Sequence, residues 1–348
     1  MRSYRLAEFG APLETVDLET PTPEGKQVLL KVKASGVCHS DIHIWEGSYD
    51  LGGGRKMQMK GIPLPLTMGH EIVGEVVAVG PEAEGVKVGE TRLVFPWIGC
   101  GHCSICAAGD EHLCNRPKAL GVTCDGGYSD HMVVSDPKYL LDITGIAPDV
   151  AAPYACSGLT TYSALKKFSS FLSTDPILIL GAGGLGLMAL TLLKAMNAKG
   201  AVVVDIDPAK RDAAVAAGAI AAIDPTAPDA VKQIMAAAGG GVRGALDLVG
   251  NTATTSLGFD ALGKGGKLVI VGLFGGQANW SLPMFPIKAA TVQGSFVGSL
   301  AELHELIDLV KAGKVPMVPL IHRPLKDVAA TLEDLRLGRI VGRAVLTP

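Results

Sequence analysis

The chain has 348 residues, 48% hydrophobic and 19% charged, with a net charge of −3. That balance excludes wholesale disorder, and no block of like charge gives an electrostatic reason to expect nucleic acid or an anionic membrane as partner. Two counts are unusual: 44 glycines, against a background of roughly 7%, and seven cysteines, four of them between positions 100 and 114.

The N-terminus leads into Glu8 without the apolar run of a signal peptide, so a soluble, cytoplasmic protein with reduced thiols is expected. From residue 1 to about 157 the chain is turn-rich, with β-branched runs at 28–33 and 72–79. This texture predicts an antiparallel, all-β layout. From about 158 to 297 strands and helices alternate. Strands are expected at Ile177–Leu180, 201–205, 245–249 and 267–271, with helices at 186–197 and after Pro208. Nearly continuous apolar strands of this kind indicate a parallel sheet covered on both faces. The charge-free stretch 176–193 is long enough to mimic a membrane span, but its four glycines divide it into strand, turn and helix. The last fifty residues hold an amphipathic helix at 300–312 and a closing strand at 340–346. The length fits two domains, and no internal repeat is present.

Strand Ile177–Leu180 runs into Gly181-Ala-Gly183-Gly184-Leu185-Gly186 and then a helix. This is G-x-G-x-x-G in its working context. The first glycine makes the turn, the second lets a pyrophosphate approach, and the third permits close helix packing. The helix N-terminus supplies amides. The next strand ends in Asp205, 24 residues after Gly181, where a carboxylate binds the adenosine ribose and selects NAD over NADP. Lys210 lies just beyond Asp205 as a possible cofactor contact, and Arg211 follows it. A solvated helix face is the simpler reading for both.

Cys100, Cys103, Cys106 and Cys114 have the spacing of a four-thiolate zinc shell, which leaves no position for a substrate. The site is therefore structural. Alone it would also fit a zinc ribbon. His102 and His112 lie in the same lobe and are surplus to a filled shell.

Three further ligand types stand in separate segments: Cys38 in Gly36-Val-Cys-His-Ser-Asp41, His70 in Gly69-His-Glu71, and Cys156 in Tyr154-Ala-Cys-Ser-Gly158. Spacing does not assemble them. Two thiolates and an imidazole with an open fourth position would, however, make a catalytic zinc site able to hold an alcohol. These stretches, with the four-cysteine lobe, the dinucleotide loop and Ile340-Val-Gly-Arg343, resemble the zinc-dependent medium-chain alcohol dehydrogenases over essentially the whole chain.

The resemblance implies an α/β protein: a GroES-like, β-rich catalytic domain (1–157 and 298–348) and a doubly wound Rossmann domain (158–297) that binds NAD. It implies two Zn²⁺ per chain, with Cys38, His70 and Cys156 holding the catalytic one. Asp41 and Glu71 would stand behind the metal and its histidine. Ser40 would take the alcohol's proton and His43 would release it to solvent. His39 and Arg343 would contact the pyrophosphate, and Thr160 would pack near the nicotinamide. The partner would be a small alcohol or aldehyde, and the assembly a homotetramer, or else a dimer.

The stretch between His43 and His70 is longer than is typical of that family and carries Gly52-Gly-Gly54. It resembles the 6-hydroxyhexanoate dehydrogenase-like branch. Tyr49 and Trp97 are candidates to line the pocket. Arg55, Lys56 and Lys60 could hold the carboxylate of an ω-hydroxy acid, or could be an ordinary solvated loop. A zinc-free quinone or enone reductase on the same scaffold would lack Cys38, His70 and Cys156.

Overall fold

The computed structural model describes all 348 residues. The β-rich part is organised by a seven-stranded sheet. Its order is Leu140–Asp142, Thr91–Val94, Glu71–Val79, Val28–Val37, Arg343–Thr347 and Leu320–Pro324, with His131–Val134 also pairing to Val28–Val37. Val28, Leu30, Val32 and Ala34 alternate into the core, while Lys31 and Lys33 reach water on the other face. Ala344, Val345 and Leu346 pair with Val37, Gly36 and Ser35, so the end of the chain completes the sheet that its beginning builds.

The named strands within residues 1–157 pair antiparallel, as their texture predicts, and the one parallel pair of this part lies in the C-terminal segment. Leu320–Pro324 runs parallel to Arg343–Thr347, because the helix Val328–Arg336 supplies the crossover that a parallel pair requires. The closing strand also starts at Arg343 rather than at 340, after a turn at Gly342 with φ +89°.

The second sheet has six parallel strands in the order Ala221–Ile223, Ala201–Val204, Ile177–Leu180, Val242–Asp247, Leu262–Ile270 and Thr291–Gly294. Ile177–Leu180 is wholly buried, as its unbroken apolar run predicts. Helices connect most of these parallel strands, as the crossover between parallel neighbours requires. The strand order reverses between Ile177–Leu180 and Val242–Asp247, which opens a crevice at their C-terminal ends. The charge-free stretch is strand Ile177–Leu180 followed by helix Gly184–Ala195, and no helix is long and apolar enough to cross a membrane.

One helix, Ser157–Lys166, ties the two parts together. It begins directly after Cys156 and packs on the helices Gly184–Ala195 and Leu300–Lys311. A single apolar core therefore runs from Val28 and Val73 through Leu159 and Phe168 to Ile179 and Leu187. Helix Leu300–Lys311 is fixed at its start by a capping box, Ser299 with Glu302, and buries Leu303, Leu306 and Ile307.

Candidate active site and metal centres

Cys38 ends the central strand Val28–Val37 and caps the helix His39–Glu46. His70 immediately precedes strand Glu71–Val79, whose Glu71 lies opposite Gly36 in the antiparallel register. Cys156 stands at the entry to helix Ser157–Lys166. Three segments far apart in sequence thus converge. The ligand atoms of Cys38, His70 and Cys156 lie within 4.8 Å of one another, and all three residues are buried. The two sulfurs are 3.9 Å apart, within hydrogen-bond reach and not joined by a disulfide.

His70 Nε2 is buried and has no hydrogen-bond partner. Leaving such an atom unsatisfied costs about 1–3 kcal/mol. A cation between the three ligand atoms removes that cost, and two sulfurs with one imidazole suit zinc. Cys38 is held well below the ordinary thiol range by the hydrogen bond with Cys156 and by His70 and Arg343. Cys38 therefore favours thiolate, the form that binds metal, while the same hydrogen bond and burial push the Cys156 thiol up.

Most of the surrounding polar atoms are paired, although Arg343 Nε is buried without a partner. Asp41 places Oδ1 3.1 Å from His70 Nδ1, and its Oδ2 accepts from the Cys38 amide at 2.9 Å and from the Tyr128 hydroxyl at 2.9 Å. Tyr128 carries no signal in the sequence. It lies 87 residues from Asp41 on a turn with no motif of its own, so no spacing could have found it. Glu71 accepts from the Ser157 amide at 3.1 Å, and both its oxygens lie 2.6 Å from Arg343 Nη2. Burial pushes Glu71 up to about 7 against the pull of Arg343. Gly36 leaves the room for this carboxylate, since a Cβ there would overlap Oε2.

Arg343 was expected at a pyrophosphate. Its guanidinium has Glu71 as its protein partner and also borders the dinucleotide loop. A Cβ on Gly184 would stand 2.7 Å from Arg343 Cδ and 3.2 Å from Nη1. One side chain therefore spans from behind the metal ligands to the first residue of helix Gly184–Ala195.

His39, Ser40 and His43 lie half-buried on the helix His39–Glu46. Burial draws both histidines below their ordinary value. The His43 ring is 5.2 Å from Tyr49, and His39 is 5.5 Å from Phe274. Trp97 donates Nε1–H to Ala155 O at 3.0 Å and sets its ring 5.3 Å from His70. Phe296 meets Trp97 edge-on at 6.1 Å, so an apolar wall flanks the metal ligands. Thr160 is buried on the first turn of helix Ser157–Lys166.

In the dinucleotide loop, Gly181 takes φ +100° and Gly186 packs against its carbonyl. Gly183 is the N-cap of helix Gly184–Ala195 and has open space where a Cβ would project. The half-buried residues Gly183, Gly184 and Leu185 begin a helix that has no side-chain cap, which leaves amides for an anion. Asp205 accepts from the Ala182 amide at 2.8 Å and so braces this loop.

Lys210 and Arg211 are only partly solvated. Their side chains are only 20% and 21% exposed, with Lys210 toward Asp207 and Arg211 toward Asp224. Arg211 also donates to the carbonyls of Asp205 and Ile206. Arg55, Lys56 and Lys60, by contrast, all face solvent.

The sulfurs of Cys100, Cys103, Cys106 and Cys114 also lie within 4.8 Å of one another. Separations of 3.9, 3.5 and 3.8 Å bracket the about 3.8 Å expected between sulfurs on one tetrahedral zinc. His102 turns away, with Nδ1 near Cys100 O and Nε2 near Arg116. Glu111 links the lobe to the sheet through Tyr139 and Lys138.

Comparison with known proteins agrees with this geometry. Residues 24–144 match the family model of the alcohol dehydrogenase GroES-like domain, and residues 184–312 match that of the zinc-binding dehydrogenases. The chain is 38% identical to an NAD-dependent alcohol dehydrogenase of Sulfurisphaera tokodaii, over the whole of both chains. It superposes on the alcohol dehydrogenase of Aeropyrum pernix with a TM-score of 0.90 and 33% identity, again over both full lengths. A cobalt- and zinc-bound alcohol dehydrogenase of Pyrobaculum aerophilum gives 0.86 at 27% identity, covering 100% of this chain and 99% of the other. Two metal-ligand clusters, a dinucleotide crevice beside one of them, and full-length likeness to these enzymes lead to one conclusion: the chain belongs to the zinc-dependent, medium-chain alcohol dehydrogenase family of oxidoreductases.

Proposed function

We propose that the protein reversibly oxidises a primary or simple secondary alcohol to the aldehyde or ketone, with NAD⁺ as hydride acceptor. The observation that carries this is Arg343. It joins Glu71, next to the metal ligand His70, to Gly184 on the dinucleotide loop, and so sets a Lewis-acid site and a cofactor crevice in one cleft. When bound, zinc supplies Lewis acidity toward the alcohol oxygen and NAD⁺ supplies the hydride acceptor.

The chain's own residues do the rest. Cys38, His70 and Cys156 would hold the metal, and Asp41 and Glu71 would fix their orientation. Ser40 takes the hydroxyl proton, and His43, neutral near pH 7, hands it to water. Asp205 receives the adenosine ribose, with Lys210 nearby. His39, Arg343 and the amides of Gly183 to Gly186 face the pyrophosphate, and Thr160 the nicotinamide. Tyr49, Trp97 and Phe296 shape the space for the carbon chain. Cys100, Cys103, Cys106 and Cys114 would hold a second, structural zinc.

The same reading takes residues 1–157 and 298–348 as catalytic domain and 158–297 as cofactor domain. It makes the protein a cytoplasmic homotetramer, or else a dimer. The seven free thiols fit a reducing compartment. The edge strand Thr291–Gly294, with Leu282 and Ile287 exposed nearby, offers a face for a second copy.

The test is a substrate panel read by NADH absorbance, spanning ethanol, longer alcohols, benzyl alcohol and ω-hydroxy acids, with NADP⁺ as control. Oxidation with NAD⁺ that is lost in Cys156→Ala supports the reading. Failure on every alcohol, or full activity in that variant, refutes it.

A further inference from the structure

The glycine-rich stretch is a two-stranded hairpin, Ser48–Gly52 with Arg55–Gln58, hung from the helix that carries Ser40 and His43. Its outer strand is exposed throughout, yet Gly52 at the turn is buried. What buries it is backbone of the other sheet's loops. A Cβ on Gly52 would stand 2.8 Å from Gly276 C and 2.9 Å from Gln277 N. From the opposite side, a Cβ on Gly275 would stand 2.7 Å from Asp50 Cβ and O, and Gly276 N–H donates to Asp50 O at 3.3 Å. The two segments therefore meet largely main chain to main chain, with glycines at 52, 275 and 276 allowing the close approach.

The contact continues to the cofactor crevice. Phe274 and Gly275 donate to the carbonyls of Val249 and Gly250 at 3.1 and 3.0 Å. The buried Asp247 holds the amides of Val249 and Gly250 at 3.0 and 2.8 Å. Val249 Cγ2 in turn presses on Gly181, 2.7 Å from where a Cβ would be. On the near side, Tyr49 packs on His43, and Phe274 packs on His39 across the cleft. A lone two-stranded hairpin is only marginally stable by itself, so its docking is a contact that can open.

We propose that this hairpin is an interdomain clasp: by seating Gly52 and Asp50 on Gly275–Gln277 it closes the cleft over the bound dinucleotide and slows its release. The clasp rests on the cofactor reading given above. It assigns a purpose to the glycine-rich insert that the catalytic residues do not.

Two glycines of the turn make the test. Gly52 and Gly54 have nearly the same backbone, φ +77° and +75°, but a Cβ on Gly54 meets nothing within 4 Å. Alanine therefore strains the turn equally at both positions and collides with the partner loop only at 52. In the zinc-loaded enzyme, stopped-flow fluorescence measures NADH dissociation and titration measures its Kd. Gly52→Ala should raise the dissociation rate and Kd at least fivefold, and Gly54→Ala should leave both within twofold. Gly275→Ala attacks the contact from the other side and should reproduce the Gly52→Ala result if that variant folds poorly. NADH bound equally by all variants, or equal loss in Gly52→Ala and Gly54→Ala, overturns the clasp. No NADH binding by the wild-type enzyme overturns the cofactor reading itself, and the clasp with it.

Discussion

Asp41 Oδ1 stands 3.1 Å from His70 Nδ1, and both side chains are completely buried. The carboxylate fixes the proton on Nδ1 and leaves the Nε2 lone pair for a metal shared with Cys38 and Cys156. In Asp41→Asn this orientation is lost. Zinc affinity at that site should fall roughly 10–100-fold, while the four-thiolate lobe stays loaded. Competition with a chromogenic chelator, reporting two phases of release, measures both. An unchanged first phase would contradict the assigned role. Tyr128→Phe removes one donor from the same carboxylate and should lower stability by about 1.5–3 kcal/mol, read from the denaturation midpoint.

Glu71 and Arg343 form a second buried pair. Glu71→Gln leaves the guanidinium without a carboxylate in an interior that exposes only 3% of Arg343. Breaking such a pair costs about 3–5 kcal/mol. Because Arg343 also packs on Gly184, weaker NADH binding should accompany the lower denaturation midpoint. Loss of stability with unaltered NADH affinity would separate Arg343 from the cofactor site.

The pH dependence of turnover follows from His43. Burial holds it below its ordinary value of 6.5, opposed by the nearby Glu46. Its neutral, proton-accepting form therefore persists to pH values under 6.5. Alcohol oxidation needs that acceptor, so kcat should fall as pH drops through the lowered value, and the acid limb should lie below 6.5. Glu46→Gln removes the group that supports the charged form and should move the limb to still lower pH. His43→Gln should abolish the limb and slow oxidation at neutral pH by up to about 10²-fold. A limb that stays in place in His43→Gln would assign it to another group.

Asp205 links cofactor choice to loop shape, since its carboxylate already accepts from the Ala182 amide. Asp205→Ser removes the charge that opposes a 2′-phosphate, with Lys210 close by to meet one. The ratio of kcat/KM for NAD⁺ over NADP⁺ should fall at least tenfold, a change of about 1.4 kcal/mol or more. An unaltered ratio would place ribose selection elsewhere.

Much of the fold was legible because it depends on local pattern. Ile177–Leu180 is a strand because four consecutive apolar residues precede a turn that only glycine at 181 makes easily. The four-cysteine lobe was legible because its ligands sit within one short segment. What escaped depends on contacts between distant segments. Nothing in Gly126-Gly-Tyr128 announces that its hydroxyl ends on Asp41. The parallel pairing of Leu320–Pro324 with Arg343–Thr347 is set by a crossover helix rather than by either strand's composition. Lys210 and Arg211 look like a solvent face in sequence; Lys210 turns to Asp207 one helical turn away, while Arg211 is drawn to Asp224 on the neighbouring strand's loop, a contact between segments that spacing does not reveal.

In the proposed reading the chain holds two zincs of different kinds, one of them shared by Cys38, His70 and Cys156. Zinc content per chain, measured on wild type and on Cys156→Ala, tests it most directly. Two zincs are expected in wild type, and one in a folded variant that still binds NADH but no longer oxidises alcohol. One zinc in wild type, or two retained in an active Cys156→Ala enzyme, would contradict it.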